Sequence, residues 1–261
     1  MTDKIKTRQT DGIGWVTLDN PARRNAISLD MWQAMDDAFA AFEADPSVRV
    51  VIMHGAGGKA FAAGADISQF EDQRKNAEQA EEYARISRAG RQRIANFPKP
   101  LIAMIEGYCI GGGVLLAALA DIRIGAENSV YGIPAARLGL GYPFESVEKV
   151  VGLVGPAVAK ELLFTARRFD AARAEATGLI NFAVPTEALE DEVRKMAEEI
   201  ARNAPLTIEL VKYETAQVLR DPAERDMAGV EARIKTCFES EDYSNGRRAF
   251  MEKRTPVFEG K

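Results

Sequence analysis

The chain has a single histidine, His54, and only two cysteines, Cys109 and Cys237, in 261 residues. A Cys/His metal cluster therefore cannot be assembled, and a mechanism needing two histidines is excluded. His54 ends the run Val50-Val51-Ile52-Met53-His54-Gly55, which reads as a buried strand, and it is expected to be structural. Basic charge is also short. Thirty-four Lys and Arg stand against 39 Asp and Glu, a net charge of −5, which lacks the electrostatic footprint of a nucleic-acid or anionic-lipid binder. No apolar run is long enough to span a membrane, since Tyr108 to Ala120 is interrupted by Gly111-Gly112-Gly113 and falls short of about 20 residues. The N-terminus is polar and has no apolar signal region, so a cytoplasmic location is expected. No sequence repeat of fixed period and no Gly/Ser-rich linker is found. What remains is 46% hydrophobic, 28% charged and 8% aromatic, the composition of an ordinary globular chain able to bury a large core.

Ile5 to Gln9 and Gly14 to Leu18 read as a hairpin about Thr10-Asp11-Gly12, where Asp-Gly supplies positive φ. Behind Ser28, a good N-cap, Trp32, Met35, Phe39 and Phe42 recur at helical spacing, so residues 29 to 44 should form an amphipathic helix ended by Asp45-Pro46. Val48 to His54 and Leu101 to Ile105 are continuous apolar runs of the kind buried on both faces of a parallel sheet. Between them the charged stretch Glu71 to Arg93 predicts a loop running into a helix stopped by Pro98-Lys99-Pro100. Val114 to Ala120 is apolar all round and must be central. Asp121 to Gly125 and Val130 to Ile133 read as short strands. After residue 144 strand signals nearly vanish, and helices are predicted over 145–152, 156–165, 171–177, 187–203, 205–220, 222–239 and 242–251. The chain thus divides into a mixed α/β core over residues 1–203 and a helical region over 204–261, which either closes over its own site or packs on a neighbouring subunit.

Two glycine-centred segments each follow a buried strand: Lys59-Ala60-Phe61-Ala62-Ala63-Gly64-Ala65-Asp66-Ile67 and Ile105-Glu106-Gly107-Tyr108-Cys109-Ile110-Gly111-Gly112-Gly113. Neither is a phosphate loop or a GxGxxG turn, because the Gly-Lys-Ser/Thr sequel and the glycine spacing are missing. Small residues let a ligand approach the backbone, and free N–H groups at a helix start point at any anionic oxygen. Two such turns at neighbouring strand ends could give one N–H each to an oxyanion hole, or be no more than tight strand-to-helix connections.

Ala60-Phe61-Ala62-Ala63-Gly64-Ala65-Asp66-Ile67, Pro98-Lys99-Pro100, Glu106 through Gly113 and Asp121-Ile122-Arg123-Ile124, in that order, resemble the enoyl-CoA hydratase/isomerase (crotonase) superfamily. Arg23-Arg24-Asn25-Ala26 and Arg247-Arg248-Ala249-Phe250-Met251-Glu252-Lys253-Arg254 fit the same pattern, so the likeness covers essentially the whole chain. It implies an α/β spiral of ββα units with a C-terminal helical region, a homotrimer or dimer of trimers, and an acyl-CoA thioester as substrate. No metal and no cofactor is implied beyond the coenzyme A carried by the substrate. It also implies that the N–H groups of Ala65 and Gly112 hold the thioester oxygen, and that Arg24, Ala26, Ala63, Asp66 and Ile67 border the coenzyme A moiety. Asp66 on its own reads as an N-cap for the segment after it.

Hydratases of that family use two glutamates as acid and base; the corresponding positions here are Leu115 and Ala135. A missing general acid or base costs roughly a hundred- to ten-thousandfold, so hydration by the usual route should be crippled. Tyr142, a candidate catalytic residue or else a pocket-lining aromatic, and the tail Ser240-Glu241-Asp242-Tyr243 resemble the methylmalonyl-CoA decarboxylase-like branch, although that branch has a histidine at the position of Ala65 and a glutamate at that of Leu115. Decarboxylation of a malonyl-type thioester needs no carboxylate base, which makes it the leading expectation. The alternatives are hydration or isomerisation with Glu145, at a predicted helix start, as a displaced base, and acyl-CoA binding without catalysis.

Overall fold

A computed structural model describes residues 2–66 and 77–261. Strands β1 (Ile5–Thr10) and β2 (Ile13–Leu18) form an antiparallel hairpin. Its two-residue turn has Asp11 at φ 52° and Gly12 at φ 79°, the positive-φ pair that matches strand twist. Helix α1 (Leu29–Ala44) buries Met31, Trp32, Met35, Phe39 and Phe42 as its spacing requires. Ser28 stands at the N-cap position without capping. Its hydroxyl instead donates to the Asp30 carboxylate, which Lys4 also engages, so a local carboxylate outcompetes the helix N–H groups for that oxygen.

The core is a spiral in which successive turns place one strand in each of two sheets. Strand β3 (Val50–Gly55) joins the larger sheet and β4 (Ala60–Ala62) the smaller, followed by helix α2 (Ala77–Ala95). Strands β5 (Leu101–Ile105) and β6 (Tyr108–Ile110) repeat the move, followed by the short helix α3 (Gly112–Ala117). Strands β7 (Ile122–Ala126) and β8 (Val130–Gly132) repeat it again. Helix α4 (Phe144–Thr165), strand β9 (Phe169–Asp170), helix α5 (Ala171–Ala176) and strand β10 (Phe182–Val184) complete the turn. The larger sheet runs β1-β2-β3-β5-β7-β10 and is parallel from β2 onward; the smaller runs β4-β6-β8-β9. Four helices follow: α6 (Leu189–Arg202), α7 (Pro205–Val218), α8 (Met227–Glu239) and α9 (Glu241–Met251).

Alternation along the central strands divides the core. Val51, Met53, Leu101 and Ala103 face a cluster shared with α1 and the second sheet, whereas Val50, Ile52, Ile102 and Met104 face Leu189, Val193 and Ala197 of α6. Two faces buried in this way account for the uninterrupted apolar runs. Asp121 and Arg123, part of the motif string, are structural: Asp121 accepts the Leu101 N–H at 2.7 Å and an ion pair from Lys212, and buried Arg123 donates to the Leu179 and Ala120 carbonyls.

Several expectations are corrected. Strands β4 and β6 lie inside the glycine-rich segments, and β9 and β10 follow residue 144, where strand signals were weakest. All four have two or three residues, too few for alternation to register. The break predicted between the helices over 145–152 and 156–165 is found within α4 at Gly155, where φ is a non-helical 72° and Pro156 follows. Residues 222–226 precede α8, with a 3-10 turn at Pro222–Glu224.

His54 is structural as expected. Its Nε2 shares a 2.9 Å hydrogen bond with Thr17 Oγ1, and its ring meets Trp15 edge-on at 5.7 Å. Burial lowers its pKa below the ordinary 6.5. The unfolded chain therefore binds the proton more readily, so this contribution to stability is complete above pH 6.5 and lost as pH falls through the depressed folded value. Urea unfolding between pH 7.5 and 5 should show a shallower loss of stability in His54→Gln than in the wild type; equal slopes would assign the pH dependence to other groups.

Candidate active site

The two glycine-centred segments meet. Strand β4 leads into Ala63-Gly64-Ala65 and β6 into Gly111-Gly112, and the strands are parallel neighbours. Gly64 has φ 99° and Gly111 φ 55°, conformations that L side chains rarely adopt. A Cβ added to Gly64 would lie 3.1 Å from the Ile110 carbonyl oxygen and 3.4 Å from the Gly112 nitrogen. The two backbones are in contact, with the Ala65 and Gly112 amides side by side.

Each turn is fastened from behind. Ile27 donates its N–H to the Gly64 oxygen at 2.7 Å and accepts the Asp66 N–H at 3.1 Å, so the N–H of Ala65, between those two bonds, faces away from Ile27. The Gly111 N–H donates to the Gly132 oxygen at 2.7 Å, and the Gly111 oxygen accepts from Leu115 N–H at 3.3 Å. Gly112 is the first residue of α3, where backbone donors have no helical partner. Among the described residues neither the Ala65 nor the Gly112 N–H has a backbone acceptor. Two adjacent free donors of this kind suit an oxygen that acquires negative charge.

Tyr142 reaches this point. Its hydroxyl donates to the Gly111 oxygen at 3.3 Å, the ring packs on the core, and burial raises the phenol's pKa, so it acts as a protonated donor. Glu145 lies one turn further on, exposed in the first turn of α4. Its nearest marked effect is on Arg91 of α2. Burial lowers the Arg91 pKa against the opposing pull of Tyr83 and Glu145, and the guanidinium lies 5.8 Å from the Trp32 ring. Leu115 is half-buried against the core and Ala135 is buried in it. Neither position offers a group that can transfer a proton.

Arg24, Ala26, Ala63 and Asp66 fall on one strip beside the pair. The Arg24 carbonyl accepts the Ala63 N–H at 3.0 Å, and its guanidinium stands 5.2 Å from the Tyr108 ring, which Arg168 approaches to 5.5 Å. Ala26 is buried, and Asp66 is half-buried beside Ala65. Ile67, and the segment that Asp66 was expected to cap, lie outside the described residues.

Sequence reasoning passed over two residues that hold the strip in place. Fully buried Asn25, at φ 56°, accepts the Asn20 N–H and donates to the Ala56 and Ala60 carbonyls at 3.0 and 2.7 Å. An asparagine between Arg24 and Ala26 was a usable signal, since Asn tolerates the left-handed region and bonds locally. Ile27, whose side chain packs in the core, holds the turn through its backbone, which no side-chain pattern reports.

The whole chain matches known proteins. Residues 8–261 match the family model described as enoyl-CoA hydratase/isomerase. The crotonyl-CoA hydratase of Syntrophomonas wolfei is 34% identical over 98% of each chain. The carnitinyl-CoA dehydratase of Salmonella agona is 34% identical over the full length of both. A solved enoyl-CoA hydratase/carnithine racemase from Magnetospirillum magneticum superposes with a TM-score of 0.93 at 38% identity, covering 100% of this chain and 97% of its own. The chain belongs to the enoyl-CoA hydratase/isomerase family and has the crotonase fold.

In Gly112→Ala a methyl would stand 3.4 Å from the Ala65 nitrogen and 3.5 Å from the Gly64 backbone carbons, against the second donor. The expected result is a melting temperature near the wild-type value with turnover of any thioester lowered by about a hundredfold or more. Unchanged turnover would show that the two N–H groups do not act together.

Proposed function

We propose that this chain is an acyl-CoA-processing enzyme in which the Ala65 and Gly112 N–H groups hold the thioester oxygen as it becomes an enolate. Arg24, Ala26, Ala63 and Asp66 would border the coenzyme A. The observation that carries this reading is the pairing of two free backbone donors with apolar side chains at positions 115 and 135. Such a site stabilises negative charge on oxygen but has no carboxylate there to move a proton.

Decarboxylation of a malonyl-type thioester suits that equipment best. The bond from the α-carbon to the carboxylate breaks, its electron pair forms the enolate double bond, and CO₂ leaves. Charge arrives on the thioester oxygen, where preorganised donors contribute most in the transition state. A proton then returns to the α-carbon. A glutamate at position 115 or 135 would repel the leaving carboxylate.

A second reading is favoured by the names of the relatives, which are a hydratase and a dehydratase. Here Glu145 serves as base for hydration or isomerisation. Purified protein offered methylmalonyl-CoA, crotonyl-CoA and a 3-enoyl-CoA separates the two. The expected result is CO₂ release from methylmalonyl-CoA that survives Glu145→Gln. No CO₂, together with enoyl-CoA turnover abolished by Glu145→Gln, would establish the second reading. Inert substrates with a melting temperature raised by acyl-CoA would leave a binding protein.

The same reading gives the C-terminal helices a partner. Phe238, Tyr243, Phe250 and Met251 are exposed around a groove of about 830 Å³ formed by α7, α8, α9 and Phe258. We infer that a second copy covers this apolar face, in a homotrimer or dimer of trimers. Sedimentation should show an oligomer that Phe250→Asp dissociates; a monomeric wild type would overturn the inference.

A further inference from the structure

We propose that Tyr142 is a positioning residue that acts through the Gly111–Gly112 peptide: its hydroxyl, bonded to the Gly111 carbonyl, orients and polarises the amide whose N–H meets the thioester oxygen. The proposal rests on the reading of Ala65 and Gly112 as oxyanion donors and goes beyond it by assigning what sets the strength of one donor.

The Gly111 carbonyl and the Gly112 N–H belong to one conjugated amide. A hydrogen bond to its oxygen draws electron density from the nitrogen and makes the N–H a stronger donor, a cooperative gain of about 10–30% per bond. The two donors are backed unequally. Behind Ala65, the Gly64 oxygen takes a 2.7 Å bond from Ile27 N–H. Behind Gly112, the Gly111 oxygen takes a 3.3 Å bond from Leu115 N–H, the loosely closed first turn of the six-residue helix α3. Gly111 itself, at φ 55° and ψ −114°, has no side chain to restrain the peptide that follows it. Its own N–H is fixed on the Gly132 oxygen at 2.7 Å, so the freedom that remains is rotation of the Gly111–Gly112 plane. The Tyr142 hydroxyl, 3.3 Å from the same oxygen, is the second restraint on that plane.

Tyr142 is suited to this task. Its ring packs against the core cluster, and the next residue, Pro143, precedes α4, so the hydroxyl is presented from the packed ring at the start of a helix. Burial keeps the phenol protonated, which suits a donor and not a base. A hydroxyl aimed at the back of a donor peptide strengthens the site for any acyl group. A hydroxyl contacting the acyl carboxylate would matter only for substrates that have one.

Acetyl-CoA labelled with ¹³C at the thioester carbonyl separates these roles, because its acyl group has no carboxylate. Difference infrared spectroscopy should show the carbonyl stretch of the bound thioester shifted to lower wavenumber in the wild type, and shifted less in Tyr142→Phe. Difluorotyrosine at position 142 keeps the ring's packing and donates more strongly, so it should enlarge the shift. Turnover of the enzyme's substrate in Tyr142→Phe should fall about three- to tenfold in kcat with KM changed less than twofold. A full wild-type shift in Tyr142→Phe overturns the role while leaving the oxyanion reading intact. A bound thioester with no shift in the wild type overturns both.

Discussion

The site depends on close contact between two stretches of backbone. Gly64-Ala65 and Gly111-Gly112 touch because β4 and β6 are parallel neighbours in the smaller sheet and because no side chain separates them. Three features hold that contact. The spiral brings each strand of the smaller sheet up beside the last, Asn25 ties the first turn to the end of β3, and the Gly132 carbonyl anchors the second. A shift of either backbone would separate the donors. Catalytic geometry of this kind is lost over displacements of about an ångström.

A site whose polar elements are amides behaves differently from one built on titratable groups. Amide donors keep one charge state across the pH range, so the field they present at the paired Ala65 and Gly112 N–H groups is constant. Leu115 and Ala135 remove the direct means of moving a proton. That turns attention to reactions in which the electron pair is released by loss of a group other than a proton. The family fold alone does not decide the reaction, which rests on the few side chains at the rim.

The sequence made the larger sheet legible because both its faces are buried and its strands are long enough to show it. The hairpin, α1 and α6 were equally open to reading: a positive-φ Asp-Gly pair and apolar stripes are local signals. Of the smaller sheet only β8 was, within the strand read at Val130 to Ile133. Strands β4, β6 and β9 have two or three residues, too few for period or β-propensity to register, so their pairing comes from the spiral itself. At the site, the glycines marked both turns, and the ordered motifs identified the family. What could not be read was the backing of each amide: Ile27 contributes through its backbone, and the Tyr142 hydroxyl meets a carbonyl 31 positions away. Ser28 shows the reverse error, a good capping residue diverted by the carboxylate of Asp30.

The claim at the centre is that one oxygen is shared by two backbone donors, and a crystal structure with acetyl-CoA bound tests it most directly. The expected result places the thioester carbonyl oxygen about 2.7–3.1 Å from both the Ala65 and the Gly112 nitrogens. A thioester oxygen bound to only one of them, or to neither while the coenzyme A lies along the Arg24 strip, would contradict it.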